Sequence, residues 1–130
     1  MLRRILDLIK PPTGNLLKQL SLCLRCQQYK RGAAYALDVP QKKLAREIEY
    51  YMRDARSKYR LDKSKGQGER YHRLGVLYHI IFEKFPGDAD SRLYNSFQLS
   101  EDDTASMNNF REAVQNERAV RLVEIRDGGN

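Results

Sequence analysis

The 130-residue chain has no tryptophan, four prolines and eight glycines, so it is poor in the residues that form turns. Sheet sandwiches and barrels need frequent turns rich in proline and glycine, and the composition therefore disfavours an all-β fold. Hydrophobic residues make up 41% of the chain, which is enough to fill one core at this length. We predict a single helical domain over residues 1–130.

Long apolar runs are also missing. The longest, Val76 to Phe82, is interrupted by His79, whereas a membrane-spanning helix needs about 20 apolar residues. Two cysteines without a signal-peptide-like segment do not fit a secreted disulfide framework. We therefore expect no transmembrane segment and an intracellular, reducing compartment, the cytoplasm or nucleus. The mitochondrion is the alternative, because residues 1–12 begin with the cationic MLRRILDLIK and are predicted to form a short amphipathic helix.

No group of residues forms a recognisable catalytic or metal-binding motif. Cys23 and Cys26 have the two-residue gap of zinc and redox sites but no matching further ligands, so we interpret both as buried, small apolar residues. His72 and His79 share a helix face without an evident nucleophile or orienting acid. The glycines at 66 and 68 lack the order of a phosphate-binding loop. We therefore expect a protein that is not an enzyme and has neither cofactor nor metal.

Helical spacing of apolar residues begins after the Pro11 to Asn15 break. Asn15 is placed to cap a helix from Leu16, which ends or bends at Gly32. The following AAYAL either extends this helix to Leu37 or forms a separate turn. Asp38, with Gln41 three residues later, is predicted to open the next helix through a capping box.

Two strongly amphipathic helices are predicted in the middle of the chain. The stripe of the first consists of Leu44, Ile48, Tyr51, Met52, Ala55 and Tyr59. The polar, glycine-containing residues 61–70 predict a mobile loop. A second, wider stripe predicts the central core helix from Glu69 to Phe85 and consists of Tyr71, Leu74, Leu77, Tyr78, Ile81, Phe82 and Phe85.

The last third should contain one further long helix. The segment from Pro86 to Leu99 predicts a loop with one short helical turn, and Ser100 before three acidic residues is typical of a helix start. The inner face of that helix is narrow and consists of Met107, Phe110, Ala113 and Val114. Residues 119–126 fit either continued helix or an extended segment against a partner, and residues 127–130 should be loose. The predicted fold class is all-α, a small bundle of four to five helices, with a short extended C-terminal segment as the open alternative.

Charge is distributed unevenly along the chain, whose formal net charge is +7. Residues 1–73 hold 18 Lys or Arg against seven Asp or Glu, whereas residues 74–130 hold six against ten. A basic ridge is predicted along the first amphipathic helix, formed by Lys42, Arg46, Arg53, Arg56 and Arg60 and extended by Lys63, Lys65, Arg70 and Arg73. Such side chains can contact successive phosphates, and Tyr50 beside them can stack on a base.

The basic ridge predicts a non-enzymatic nucleic-acid-binding protein of low sequence specificity. RNA is favoured slightly over DNA, because no recognition-helix or zinc-finger pattern is present. The alternative is an accessory or adaptor subunit of a larger complex, docking on an acidic protein surface through this basic face and its terminal helices. A plain solvated face is the third interpretation, in which Lys43 pairs with Glu47 and Lys58 with Asp54. The sequence leaves the oligomeric state open.

Overall fold

The computed structural model describes residues 15–128, and these form six helices and no strand. The helices are α1 (Leu16–Arg25), α2 (Tyr29–Asp38), α3 (Gln41–Asp62), α4 (Lys65–Phe82), α5 (Ser91–Asn95) and α6 (Glu101–Gly128). The predicted all-α bundle is confirmed. The helix predicted over residues 1–12 and the last two residues of the predicted loose tail lie outside the described residues.

A hairpin of α3 and α4 forms the centre of the fold, and the other helices pack around it. Its core side chains are Leu44, Ile48, Met52 and Ala55 from α3 with Tyr71, Leu74, Leu77, Tyr78 and Ile81 from α4. Both predicted apolar stripes are therefore confirmed, with Tyr51 and Tyr59 half-buried at the edges. Phe85, predicted as the last residue of the core helix, lies beyond its end and is 41% exposed.

The mobile loop predicted over residues 61–70 is not present, because two residues connect the two helices. Lys63 adopts the left-handed conformation, with φ 54°, and its N–H donates to the carbonyl of Tyr59 at 2.7 Å. The Asp62 carboxylate accepts a bond from the N–H of Ser64 at 2.9 Å, which fixes the turn. Helix α4 then begins at Lys65.

The glycines of this segment belong to the first turn of α4. Gly68 is buried, and the ring of Phe97 lies directly against it: an added Cβ would lie 2.2 Å from two ring atoms. Gly68 is thus required for close packing rather than for flexibility. A sequence pattern does not distinguish these two uses of glycine, and this is why the loop prediction was wrong.

The helix predicted from Leu16 through Gly32 is broken into two at residues 26–28. Gln27 has φ 59° and reverses the chain, and α2 contains the whole AAYAL segment. Gly32 lies inside α2 and lets it approach α1, because an added Cβ would lie 3.3 Å from Cβ of Cys23. Cys23 is half-buried, but Cys26 is the exposed C-cap residue of α1. The prediction of two buried cysteines is therefore wrong for Cys26.

The predicted capping box of Asp38 and Gln41 is also wrong. Asp38 is the last residue of α2, and Pro40 takes the N-cap position of α3. The side-chain amide of Gln41 instead donates to the carbonyls of Ala36 at 2.7 Å and Val39 at 3.1 Å, and thus satisfies the end of α2.

The start of α1 at Leu16 is as predicted, but Asn15 makes no side-chain cap bond. Glu47 of α3 takes this role, although it lies about 30 residues further along the chain. It is 3% exposed, and its carboxylate accepts bonds from the N–H groups of Leu17 at 2.8 Å and Leu16 at 3.3 Å. The positive end of the α1 dipole thus faces a buried carboxylate.

Helix α6 is continuous to Gly128, so the helical alternative for residues 119–126 is the observed one. The hydroxyl oxygen of Ser100 accepts a bond from the N–H of Asp103 at 3.1 Å, which confirms the predicted start. Met107, Phe110 and Val114 are buried as predicted.

Two arginines hold the later turns of α6 against the domain. The guanidinium of Arg118 donates to the carbonyls of Ile80 and Ile81 near the end of α4. Arg121 pairs with Asp38 at the end of α2 at 2.7 Å. These contacts favour continued helix over an extended tail.

Candidate nucleic-acid interface

The basic residues predicted on α3 lie on its outer side, opposite the buried stripe. Lys42, Arg46, Arg53 and Arg60 are exposed, and Lys43 joins them. The stretch from Lys42 to Arg60 is about 27 Å long at 1.5 Å per residue. The ridge is therefore accessible along the length of α3.

The N-terminal half of this ridge consists of Lys42, Lys43 and Arg46, which we call the N-terminal basic face. Within residues 15–126 no carboxylate lies at ion-pair distance from these three side chains. The local pair predicted between Lys43 and Glu47 does not form, because Glu47 is buried against α1. Half-buried Tyr50 lies one turn after Arg46 and contacts Tyr51 edge to face, with ring centroids 5.2 Å apart.

The C-terminal half of the ridge meets two carboxylates from the segment between α4 and α5. Arg53 lies 3.6 Å from the Asp88 carboxylate and Arg60 lies 3.3 Å from the Asp90 carboxylate. Arg56 donates to the backbone carbonyl of Asp88 at 2.9 Å and is 19% exposed. The sequence pattern of α3 does not indicate these two acids, because they approach α3 through the fold rather than along the helix.

The two carboxylates differ in how firmly they are held. Asp90 accepts bonds from the N–H of Leu93 and from Arg60, and these bonds, the first above all, lower the pKa of its carboxyl. Asp88 is half-exposed, as is the Arg53 side chain at 51%. Ion pairs between such exposed groups contribute little, typically below about 1 kcal/mol, so Arg53 can exchange its partner at small cost.

Lys63 and Lys65 lie at the far end of the hairpin. The Lys63 ammonium is 5.3 Å from the ring centroid of Tyr59, and Lys65 pairs with Glu69 at 3.7 Å. Both are exposed. They continue the basic surface only past the C-terminal end of α3, away from the N-terminal basic face.

Arg70 and Arg73 lie on a different side of the hairpin, facing α1. Arg70 donates to Asp54 at 2.9 Å. This bond is the largest cause of the lowered pKa of the Asp54 carboxyl, and the bond from Lys58 contributes less. Arg73 pairs with Asp103 of α6 at 3.5 Å. The nine predicted residues therefore do not form one surface. The ion pair predicted between Lys58 and Asp54 is present, at 3.1 Å.

A cavity of about 520 Å³ lies beside Arg73, between α1, α4 and α6. Its apolar wall includes Leu17, Leu24 and Met107, and Arg25 lies at the same cavity as Arg73. No sequence pattern signals that Arg25 and Arg73 line one cavity, because the two arginines lie far apart in the sequence and meet this cavity only through the fold.

The two histidines of α4 are occupied by packing contacts. Nδ1 of His72 lies 2.8 Å from the carbonyl oxygen of Tyr94, and the two rings stack with centroids 4.3 Å apart. His79 stacks on Phe85 with centroids 4.8 Å apart. Among the described residues, no three His, Cys, Asp or Glu side chains are grouped to hold a metal ion. No helix in this part of the chain has both the length and the apolar character to cross a membrane.

Comparison of the chain with protein-family models, with curated proteins and with solved structures finds no match.

Proposed function

We propose that the protein binds the phosphate backbone of nucleic acid through the outer side of α3. Lys42, Lys43 and Arg46 supply the main contacts, and Arg53 joins by exchanging Asp88 for phosphate. One observation carries the proposal: three exposed cations within the first turns of α3 have no carboxylate partner among the described residues.

Binding of this kind gains free energy from the release of condensed counterions. Lys42 and Arg46 are one turn apart, about 6 Å along the helix axis, so both can face one backbone. Each phosphate neutralised by Lys or Arg releases counterions, which makes the affinity depend on salt. Recognition rests on charge and shape rather than on base edges, and for this reason we favour RNA over DNA and expect low sequence specificity.

The test measures binding to labelled single-stranded RNA, duplex RNA and duplex DNA across a salt series. The double substitution Lys42→Ala with Arg46→Ala should weaken binding by about tenfold or more and reduce the slope of log affinity against log salt by roughly 1.5 to 2. The matched control is Lys84→Ala with Arg111→Ala. It removes the same charge from exposed side chains outside α3 and should change affinity far less.

Equal losses in the two double variants would show that overall charge, not the outer side of α3, governs binding. Absence of binding to all three nucleic acids at low salt, by a wild-type sample whose helical circular dichroism is intact, would overturn the proposal. The same basic side of α3 would then be assigned to the acidic surface of a protein partner, as in an adaptor subunit, and that partner would be sought by pull-down.

A further inference from the structure

The last turns of α6 expose an unusual amount of apolar surface. Val120 is 51% exposed, Leu122 63%, Val123 55% and Ile125 70%. Arg118 and Arg121 are the last residues of α6 with a hydrogen bond or ion pair to another helix or loop among the described residues, so the helix then extends past the domain. Leu122 and Val123 among them lie on the side of α6 that faces away from the core, and exposed apolar side chains on an extended helix indicate an interaction surface.

The residues on the side of α6 that faces away from the core indicate which kind of partner can bind there. It consists of Glu112, Gln115, Asn116, Ala119, Leu122, Val123 and Arg126, and we call it the outer face of α6. All seven residues are exposed. Their spacings of three and four put them on one face, opposite buried Phe110 and Val114.

The outer face of α6 is complementary in charge to itself. Glu112 and Arg126 lie at its two ends, and neither forms an ion pair or side-chain hydrogen bond with another described residue. Ala119 lies midway between them in sequence, and Leu122 and Val123 lie beside it. The two charges are four turns apart, about 21 Å along the helix.

A second copy of α6, antiparallel to the first with the two-fold axis at Ala119, satisfies both charges. Arg126 of each copy then faces Glu112 of the other, while Leu122 and Val123 of each copy pack on the two sides of the axis against Asn116 and Gln115 of the other. The small Ala119 side chain allows the helices to approach closely at the centre. A parallel arrangement would instead place Glu112 against Glu112 and Arg126 against Arg126, which is unfavourable.

We propose that the protein forms a homodimer through an antiparallel pair of α6 helices, centred on Ala119. Such an interface is isologous, as most homodimer interfaces are. One helix pair of this length is at the small end of specific interfaces, roughly 1,000 Å² in total, so the dimer dissociates on dilution. This inference is independent of the proposed nucleic-acid binding, because the outer side of α3 contributes no residue to it.

The experiment is sedimentation equilibrium of the full chain over a range of concentrations. The wild type should pass from monomer to dimer, and Leu122→Glu should remain monomeric. Glu112→Arg and Arg126→Glu should each weaken dimerisation by about tenfold or more, because each substitution puts two like charges in contact at both ends of the helix pair. An equimolar mixture of these two charge variants should recover dimerisation, since both contacts between unlike copies are again Arg with Glu.

Glu124→Arg is the matched control, because Glu124 is exposed in the same turns but lies on the other side of α6. It should leave dimerisation unchanged, and circular dichroism checks that every variant is folded. A wild type that stays monomeric throughout would overturn the proposal. A dimer that withstands Glu112→Arg and Arg126→Glu, or a mixture that does not recover, would overturn the antiparallel contact.

Discussion

Glu47 is the buried charged residue of the described part of the chain, and its carboxylate oxygens close the start of α1. A buried carboxylate is tolerated only where hydrogen bonds replace the lost water. Leu16 and Leu17 supply two such bonds from N–H groups that would otherwise lack a partner within their own helix. The pKa of the Tyr35 hydroxyl is raised, mainly by burial and to a smaller extent by the nearby charge of Glu47.

Replacing Glu47 should therefore destabilise the fold at neutral pH. Glu47→Gln keeps the shape but removes the charge and one acceptor oxygen, and we expect a loss of about 1.5 to 3 kcal/mol in the free energy of unfolding. Urea unfolding measures the change. Glu69→Gln is the control, because Glu69 forms a surface pair with Lys65 and should cost below about 0.5 kcal/mol. Equal losses in the two variants would contradict the capping role.

At the scale of helices, the apolar stripes of α3, α4 and α6 were predictable from the sequence, because helical periodicity reports directly which side is buried. Helix boundaries were less predictable where glycine or a polar residue has a tertiary role. Gly68 serves the contact with Phe97, and Gln41 caps α2 rather than α3. The first contact joins residues that are distant in sequence, and the second is local but runs backward to the preceding helix, which a capping pattern does not indicate.

The two glycines of the first turn of α4 provide a direct comparison. Gly68→Ala places a Cβ 2.2 Å from the ring of Phe97 and should destabilise the fold by roughly 1 to 3 kcal/mol. At Gly66 the nearest atom is the hydroxyl oxygen of Ser64, 3.7 Å away, so Gly66→Ala should stabilise by about 0.4 to 1 kcal/mol. Thermal unfolding of both variants gives the comparison. Stabilisation by both substitutions would show that Phe97 moves away freely.

The candidate interface was predictable to a similar extent. The direction in which α3 presents its cations follows from its own periodicity, and the exposure of Lys42, Arg46 and Arg53 agrees with it. The partners of Arg53 and Arg60 were not predictable, because Asp88 and Asp90 reach α3 through the segment after α4. A basic pattern in a sequence thus locates a candidate surface but not its effective charge.

In the whole molecule, the fold brings the basic first half of the chain and the acidic second half into contact, so their opposite charges partly neutralise each other. Acidic residues of the second half pair with arginines of the first, as Asp103 does with Arg73. Conversely, Arg121 of α6, in the second half, pairs with Asp38 of α2, in the first. The hydrogen bonds of Arg121 to Asp38 and, less strongly, to Glu117 raise the pKa of the Arg121 guanidinium. Lys42, Lys43 and Arg46 at the start of α3 are among the cations without such a partner in the described part of the chain, so this end of α3 keeps its positive charge.

The stability of the whole fold should decrease in strong alkali because of Tyr78. Burial, and then its hydrogen bond to Glu49 at 2.9 Å, raise the pKa of the Tyr78 hydroxyl to about 12. The tyrosine pKa in an unfolded chain is about 10, so between about pH 10 and 12 the unfolded state releases this proton while the folded state keeps it. The free energy of unfolding then falls by up to about 1.4 kcal/mol per pH unit, and this stabilisation is present in full below about pH 10.

Tyr78→Phe removes that titration. We expect the variant to lose about 1 kcal/mol at neutral pH, because the bond to Glu49 is gone, and to decline less steeply than the wild type between about pH 10 and 12. Chemical unfolding at a series of pH values measures both. Parallel declines of the two proteins would contradict the role of Tyr78, since buried Tyr71, whose pKa is raised mainly by burial, would then account for the effect.

The carboxylate of Glu47 also makes the stability of α1 depend on α3. A ten-residue helix such as α1 is marginal by itself in water, and the acceptor for its first N–H groups lies on another helix, about 30 residues along the chain. Helix α1 therefore gains its full stability only after α3 has formed and docked. The N-terminal part of the described chain thus depends on the middle for the full stability of its own secondary structure.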